Sequence, residues 1–257
     1  MRSATRGVLL SWREPAVGPD IQSRIPARTA ERAPSPPLDY ETLRDRLDAT
    51  LSARPARTLE LELFPGFRRA AVLIPVLRRR GEATLLFTQR ARALQQHSGQ
   101  ISFPGGRVEP GESLRDAALR ETDEEVFIPP SSVEIVGRLD DFPSISSYLV
   151  APYIGIVEEP PTEIEFERGE VASVFEATVA RALDPAVRRV EAWDESKLPP
   201  EAPREQLLEA HRMLGHLGPE DTTYPAYFFD LNARTGPVWG LTARILEQFL
   251  EPFREAE

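Results

Sequence analysis

The 257-residue chain has no cysteine, which excludes disulfides, thiol nucleophiles and thiolate metal sites; a reducing compartment is the default. Histidine is scarce as well: His97, His211 and His216 are the whole complement. The last two lie five apart, which on a helix turns them about 140° from each other. Gly215 is expected to end that helix first, so both read as surface residues and not as a metal pair. No apolar run approaches membrane-spanning length, so no membrane association is expected. The first residues lack the apolar stretch of a secretory signal, and Glu14 and Asp20 count against a transit peptide, so a cytoplasmic location is expected. Positive charge is in deficit, 31 Lys and Arg against 41 Asp and Glu, for a net −10. That balance argues against a nucleic acid polymer as partner, since such binding neutralises many phosphates. It leaves room for a small anion, because bound metal and a few arginines can invert the sign inside one cleft.

What is present is concentrated between Gly106 and Glu125. Glu121, Glu124 and Glu125, spaced i, i+3 and i+4, fall on one face of a helix. Like charges so close repel, and a divalent cation would relieve that repulsion. An oxygen-only donor set points to Mg²⁺ or Mn²⁺, and Mg²⁺ held by carboxylates commonly shares its other positions with water and substrate phosphates. The pattern therefore points to a metal-dependent enzyme acting on a phosphate ester or anhydride.

In order, the segment runs Gly106, five residues, Glu112, seven residues, Arg120-Glu121, two residues, Glu124-Glu125. This resembles the Nudix box, the signature of hydrolases that cleave a nucleoside diphosphate linked to another moiety. Thr122 stands where the family often has an aliphatic residue, and Phe127 where it has glycine. Glycine there would form a left-handed cap in which phenylalanine is strained; Pro129 and Pro130 offer another stop for the helix. Upstream, Leu85-Leu-Phe-Thr-Gln-Arg90, Leu94, His97, Gly99, Gln100 and Phe103-Pro-Gly-Gly106 are similar to the motif of the coenzyme A diphosphatase branch. Gln95 replaces an arginine of that motif. The resemblance implies cleavage of coenzyme A or its thioesters to 3′,5′-ADP and (acyl-)4′-phosphopantetheine.

Alternating strands and helices read as an α/β fold with a mixed sheet, an N-terminal extension and an insertion in the C-terminal half, and the resemblance implies the Nudix α/β/α sandwich. Residues 1–37, with six prolines and no periodicity, read as a flexible leader. The domain is then expected over 38–257 with an insertion at about 192–222, carrying one helix near 204–214. Leu43, Leu47 and Leu51 predict a helix over 38–51. Residues 68–77 read as a buried strand that Pro75 places at an edge or bulge, with 83–88 as its partner. The box helix spans 113–126, and strands are expected at 133–139, 148–157 and 227–231. Residues 170–183 and 239–251 read as helices, and Phe228 and Trp239 as core.

The resemblance assigns the roles. Glu121, Glu124, Glu125 and the Gly106 carbonyl hold the metal. Arg120 orients a carboxylate, and Glu112 either favours the helix N-terminus or supports the metal site. Arg90, with Arg92 as a lesser candidate, His97, Gly105 and Gly106 bind substrate. Glu170 or Glu121 takes a proton from water, with Glu163, Glu165 and Glu167 as competitors of Glu170. Two alternatives stay open: another nucleoside diphosphate derivative as substrate (ADP-ribose, a dinucleotide or an oxidised nucleotide), and a nucleotide-binding module without turnover. A homodimer is compatible with the chain.

Overall fold

The computed structural model describes residues 39–91, 99–218 and 220–254. The leader, Arg92, Gln95 and His97 lie outside them. At Asp39 the side chain accepts the Thr42 N–H at 2.9 Å and opens helix α1 (Tyr40–Ala53). Tyr40, Leu43 and Leu47 form its buried face, as their spacing predicts.

Strand β1 (Arg68–Arg79) is the spine of the sheet. It turns through Arg80 and Gly81, both at positive φ (52° and 85°), into antiparallel β2 (Glu82–Arg90). Two left-handed residues match the twist that a two-residue hairpin loop needs. On its other side β1 runs parallel to β7 (Tyr148–Val157), in unbroken register from Arg68↔Tyr148 to Leu77↔Val157. The short strands β3 (Ile101–Ser102), β4 (Gly105–Arg107) and β6 (Phe142–Pro143) pair with β2, β1 and β7 respectively. β5 (Glu134–Arg138) closes one side against β7, and β8 (Val171–Thr178) pairs with β2. The result is an eight-stranded mixed sheet.

β1 alternates between two cores. Ala71, Leu73 and Leu77 face α2 (Leu114–Val126), which contributes Ala117, Ala118, Leu119 and Val126. Ala70, Ile74 and Val76 face α1 and α5 (Gly240–Leu250), which contributes Ala243, Ile245, Leu246 and Phe249. A strand buried on both faces reads as a continuous apolar run, and so 68–77 does. Helix layers on both faces make the expected α/β/α sandwich.

The C-terminal half adds α3 (Val179–Leu183), β9 (Arg188–Trp193), α4 (Arg204–Met213), β10 (Tyr224–Phe229) and β11 (Val238–Trp239). β9, β10 and β11 form a second sheet in the order β11-β10-β9. α4 buries Leu207 and Ala210 in a third cluster with Leu59, Phe64, Phe67 and Leu149. Asp140 and Asp141 are fully buried and fasten the segment between α1 and β1. Asp140 accepts the Arg57 N–H at 2.7 Å and the Arg54 guanidinium at 2.5 Å. Asp141 accepts the Leu59 N–H at 2.9 Å and Arg69 at 2.8 Å.

Several expectations are corrected. Pro75 is not at an edge: it sits between the stretch of β1 paired with β4 and the stretch paired with β2, where a missing N–H breaks no ladder. Residues 171–178 are a strand, not a helix; Val171, Val174, Phe175 and Thr178 suit a pleated surface, and pairing with β2 decides it. His211 and His216 are not surface residues. Gly215, at φ 70°, does turn the chain, but it folds His216 back until the two rings lie 5.6 Å apart, with His211 buried. Phe228 and Trp239 are half-buried, not core.

Candidate active site

Ser113 caps α2 by accepting the Asp116 N–H at 3.1 Å, and Ala117, Ala118 and Thr122 press the helix onto the sheet. That burial turns Glu121, Glu124 and Glu125 toward the glycine turn that joins β3 to β4. At the far end Phe127 caps the helix in the left-handed conformation, φ 52° and ψ 32°. The position thus keeps the backbone for which glycine is suited, and Phe127 carries the strain. Phe127 is 49% exposed, so little packing offsets that strain.

Arg120 organises the carboxylates. Its guanidinium clasps Glu112 at both oxygens (2.8 and 3.1 Å) and reaches Glu121 at 3.1 Å and Glu124 at 3.0 Å. It also donates to the Arg107 carbonyl at 3.0 Å, which ties α2 to β4. Glu112, held by Arg120 and by the Glu109 N–H, has its carboxyl pushed below the usual range. Its place in the sequence left two roles open; its contacts make it the anchor of Arg120.

The two glycines are required by close approach. Gly105 sits at φ 152°, and a Cβ there would overlap the Ala71 carbonyl and the Val72 backbone. A Cβ on Gly106 would overlap the Glu121 carboxyl. The bare backbone therefore lets β4 lie directly against the acidic face.

Glu125 is the most buried of the three, 6% exposed, and one of its carboxylate oxygens is buried without a hydrogen-bond partner. Burial pushes its carboxyl up to about 8; Glu121 and Glu170 add to the rise, and Arg90 and the Gly105 N–H oppose it. Burial also raises Glu121, again with Glu124 and Glu170 contributing. Glu124 is exposed.

Arg90 and Glu170 arrive from the opposite side. A bulge between Gln89 and Arg90 in the β2–β8 ladder re-aims Arg90, whose charge is felt at Glu125. Glu170 precedes β8; its carbonyl accepts the Ala91 N–H at 2.8 Å and its own N–H meets the Glu167 carboxylate at 2.8 Å. The Glu167 N–H in turn donates to the Glu125 carbonyl at 3.0 Å, pinning this loop to the end of α2. Of the competitors, Glu167 thus shapes the loop, while the charge of Glu170 acts on Glu121 and Glu125. The anchoring by Glu167 was missed in the sequence, where no periodic signal marks a loop-to-helix contact. His97 lies outside the described residues.

With Glu121 and Glu124 sharing Arg120, no three acidic or histidine side chains converge as a ready cage among the described residues. The donors nonetheless suit a hard divalent cation: carboxylate and carbonyl oxygens only, one of them a buried carboxylate oxygen with no other partner. Glu121, Glu124, Glu125 and the Gly106 carbonyl are the groups able to hold it.

The mixed sheet thus lies between helices, with a glycine turn laid against an acidic, arginine-braced helix. The NUDIX domain family model matches residues 67–199. NudL of Cronobacter sakazakii, described as an uncharacterised Nudix hydrolase, is 38% identical over 182 residues, 70% of this chain and 80% of that relative. NudL of Citrobacter koseri is 49% identical over 117 residues, 45% of this chain; the match spans only 60% of that relative. The chain belongs to the Nudix hydrolases, enzymes that act on pyrophosphate bonds of nucleoside diphosphate derivatives. Among solved structures, a C. elegans Ap4A hydrolase binary complex aligns with TM-score 0.38 and 22% identity, over 46% of this chain and 85% of that one. The NUDIX domain of Shewanella oneidensis NrtR, complexed with ADP ribose, aligns with TM-score 0.37 and 16% identity, over 64% and 96%. Among the described residues no helix is long and apolar enough to cross a membrane.

Proposed function

We propose that this protein hydrolyses the diphosphate of coenzyme A or its thioesters, with Mg²⁺ or Mn²⁺ held by Glu121, Glu124, Glu125 and the Gly106 carbonyl. One observation carries the substrate reading. The described parts of the segment that resembles the coenzyme A motif, 85–91 and 99–106, carry β2, β3 and the glycine turn at the acidic face, and β2 ends on Arg90, whose charge acts on Glu125.

A divalent cation held there would polarise the phosphoryl oxygens and make a bound water more acidic. The residues of the chain do the rest. Arg120, anchored on Glu112, fixes the carboxylates of Glu121 and Glu124. Arg90 offers a planar fork to a substrate phosphate, joined by His97 and the backbone of Gly105 and Gly106. Glu170 or Glu121 accepts the proton of the attacking water. Water oxygen bonds to one phosphorus as the bridging P–O bond breaks, and the leaving phosphate takes the displaced oxygen. The products are 3′,5′-ADP and (acyl-)4′-phosphopantetheine. The catalytic unit is taken as 38–257, with 1–37 outside it and 192–222 inserted, in a cytoplasmic protein.

Coenzyme A differs from its dephospho form by the 3′-phosphate alone. A charge-assisted bond to that phosphate contributes about 1.5–3 kcal/mol, or roughly ten- to a hundredfold in kcat/KM. Dephospho-coenzyme A should be the poorer substrate by that factor, and Arg90→Ala should narrow the gap. Equal efficiency on both compounds, or a preference for ADP-ribose, removes coenzyme A and leaves the family assignment standing.

A further inference from the structure

β9 is the outer strand of the second sheet, with β10 as its sole partner among the described strands. Its ladder shows which backbone groups are spent. The Asp230 N–H donates to the Val187 carbonyl at 2.8 Å, which makes 187:230 a hydrogen-bonded pair. Such pairs alternate in an antiparallel ladder, so Arg189:Phe228, Glu191:Ala226 and Trp193:Tyr224 are the bonded pairs of β9 and β10. Pro225, which has no N–H, falls opposite Ala192 in a non-bonded pair, consistent with that alternation. The N–H and C=O groups of Arg188, Val190 and Ala192 therefore point away from β10.

The side chains around them are exposed from Arg189 through Ala192, and Val190 is 43% exposed. Arg189 lies over the Phe228 ring at 4.1 Å and pairs with Glu191, which also accepts the Trp193 indole N–H at 3.0 Å. These groups share the sheet face opposite the one where Arg188 is tied to Glu247 of α5 at 2.6 Å. An edge free among the described residues and carrying an apolar residue is a template for another strand.

We propose that this edge is an interface between two copies of the chain, β9 pairing antiparallel with β9 of the second copy about a twofold axis at Val190. The occupant follows from charge complementarity and backbone parity. In that register Val190 bonds the partner's Val190, Arg189 faces the partner's Glu191, and Glu191 faces the partner's Arg189. Pairs of this second kind are the non-bonded ones, whose side chains stand closest. A dyad at Arg189 or at Glu191 would use the same outward backbone groups but would set like charges opposite each other in a non-bonded pair, where side chains stand closest. The Val190 register is thus self-complementary, as an isologous contact requires.

The whole chain is tested by sedimentation velocity. The wild type should sediment as a dimer, twice 28.8 kDa. Glu191→Arg sets arginine against arginine and should raise the dimer dissociation constant about tenfold or more. The reciprocal variant Arg189→Glu/Glu191→Arg should restore the dimer, which a merely misfolded strand would not do. The absence of native cysteine allows a geometric check. Bonded antiparallel partners have Cα atoms about 5.5 Å apart, within reach of a disulfide. Val190→Cys should cross-link on mild oxidation, and Ala49→Cys, exposed on α1, should not. A wild type that stays monomeric at its highest soluble concentration overturns the proposal. So does a dimer indifferent to Glu191→Arg, a double variant that stays monomeric, or a Val190→Cys variant that does not cross-link.

Discussion

Glu125→Gln should stabilise the metal-free protein while abolishing turnover. Glu125 is 6% exposed, one of its carboxylate oxygens is buried without a partner, and Glu121 and Glu170 press like charge upon it. Burying an acceptor without a partner costs about 1–3 kcal/mol, and more when it is charged. Glutamine keeps the shape and the acceptor for the Gly105 N–H, needs no proton uptake to be neutral in its buried place, and presents an amide donor toward the neighbouring carboxylates. A gain of about 1–3 kcal/mol follows. In a domain of this size each kcal/mol moves Tm by roughly 2–4 °C. Melting in excess chelator reads that gain directly. Glu124→Gln is the contrast: Glu124 is 59% exposed and shares Arg120, so its Tm should move little although its activity falls by orders of magnitude. Adding Mg²⁺ should reverse the ranking, since a ligand at a hundred times its Kd stabilises the native state by about 2.7 kcal/mol, and Glu125→Gln would forfeit that. A Glu125→Gln protein that melts below the wild type in chelator refutes the reasoning, because the carboxylate would then be held for structure.

Two further predictions concern stability. Phe127→Gly should preserve the end of α2 and raise stability by about 0.5–1 kcal/mol; a left-handed residue with a Cβ costs about 1–2 kcal/mol, partly offset by the unfolded-state entropy of glycine. A lower Tm would mean that the exposed ring packs more than its exposure implies. His211 is held well below its ordinary value of 6.5 by burial, with Arg244 and His216 opposing its protonation. The unfolded chain therefore takes up a proton below pH about 6.5 that the folded chain refuses, and stability falls there by up to about 1.4 kcal/mol per pH unit. Urea midpoints between pH 5 and 7.5 should show that slope in the wild type and a shallower one in His211→Gln.

The acidic helix was legible because its logic is local. Spacing on one helix sets Glu121, Glu124 and Glu125 on a shared face, and the Ser113 cap and apolar positions bound the element to within a residue. β1 and β7 were legible as uninterrupted apolar runs. What escaped depends on distant pairing. Residues 171–178 carry both helical and strand signals, and β2 decides between them. Pro75 reads as an edge signal until the switch of β1 from β4 to β2 is known. His211 and His216 diverge on an ideal helix and converge only because Gly215 ends it. Asp140 and Asp141 carry no signal in the sequence, and nothing local announces that Arg54, Arg57, Leu59 and Arg69 close over them.

The central claim is tested most directly by titrating Mg²⁺ into the protein with coenzyme A, dephospho-coenzyme A, ADP-ribose, a dinucleotide and an oxidised nucleotide, each with its products identified. The account predicts hydrolysis that depends on the metal, fastest with coenzyme A, yielding 3′,5′-ADP and 4′-phosphopantetheine, and lost in Glu124→Gln. Turnover that persists in chelator, or coenzyme A left intact while another compound of the panel is cleaved, would contradict it.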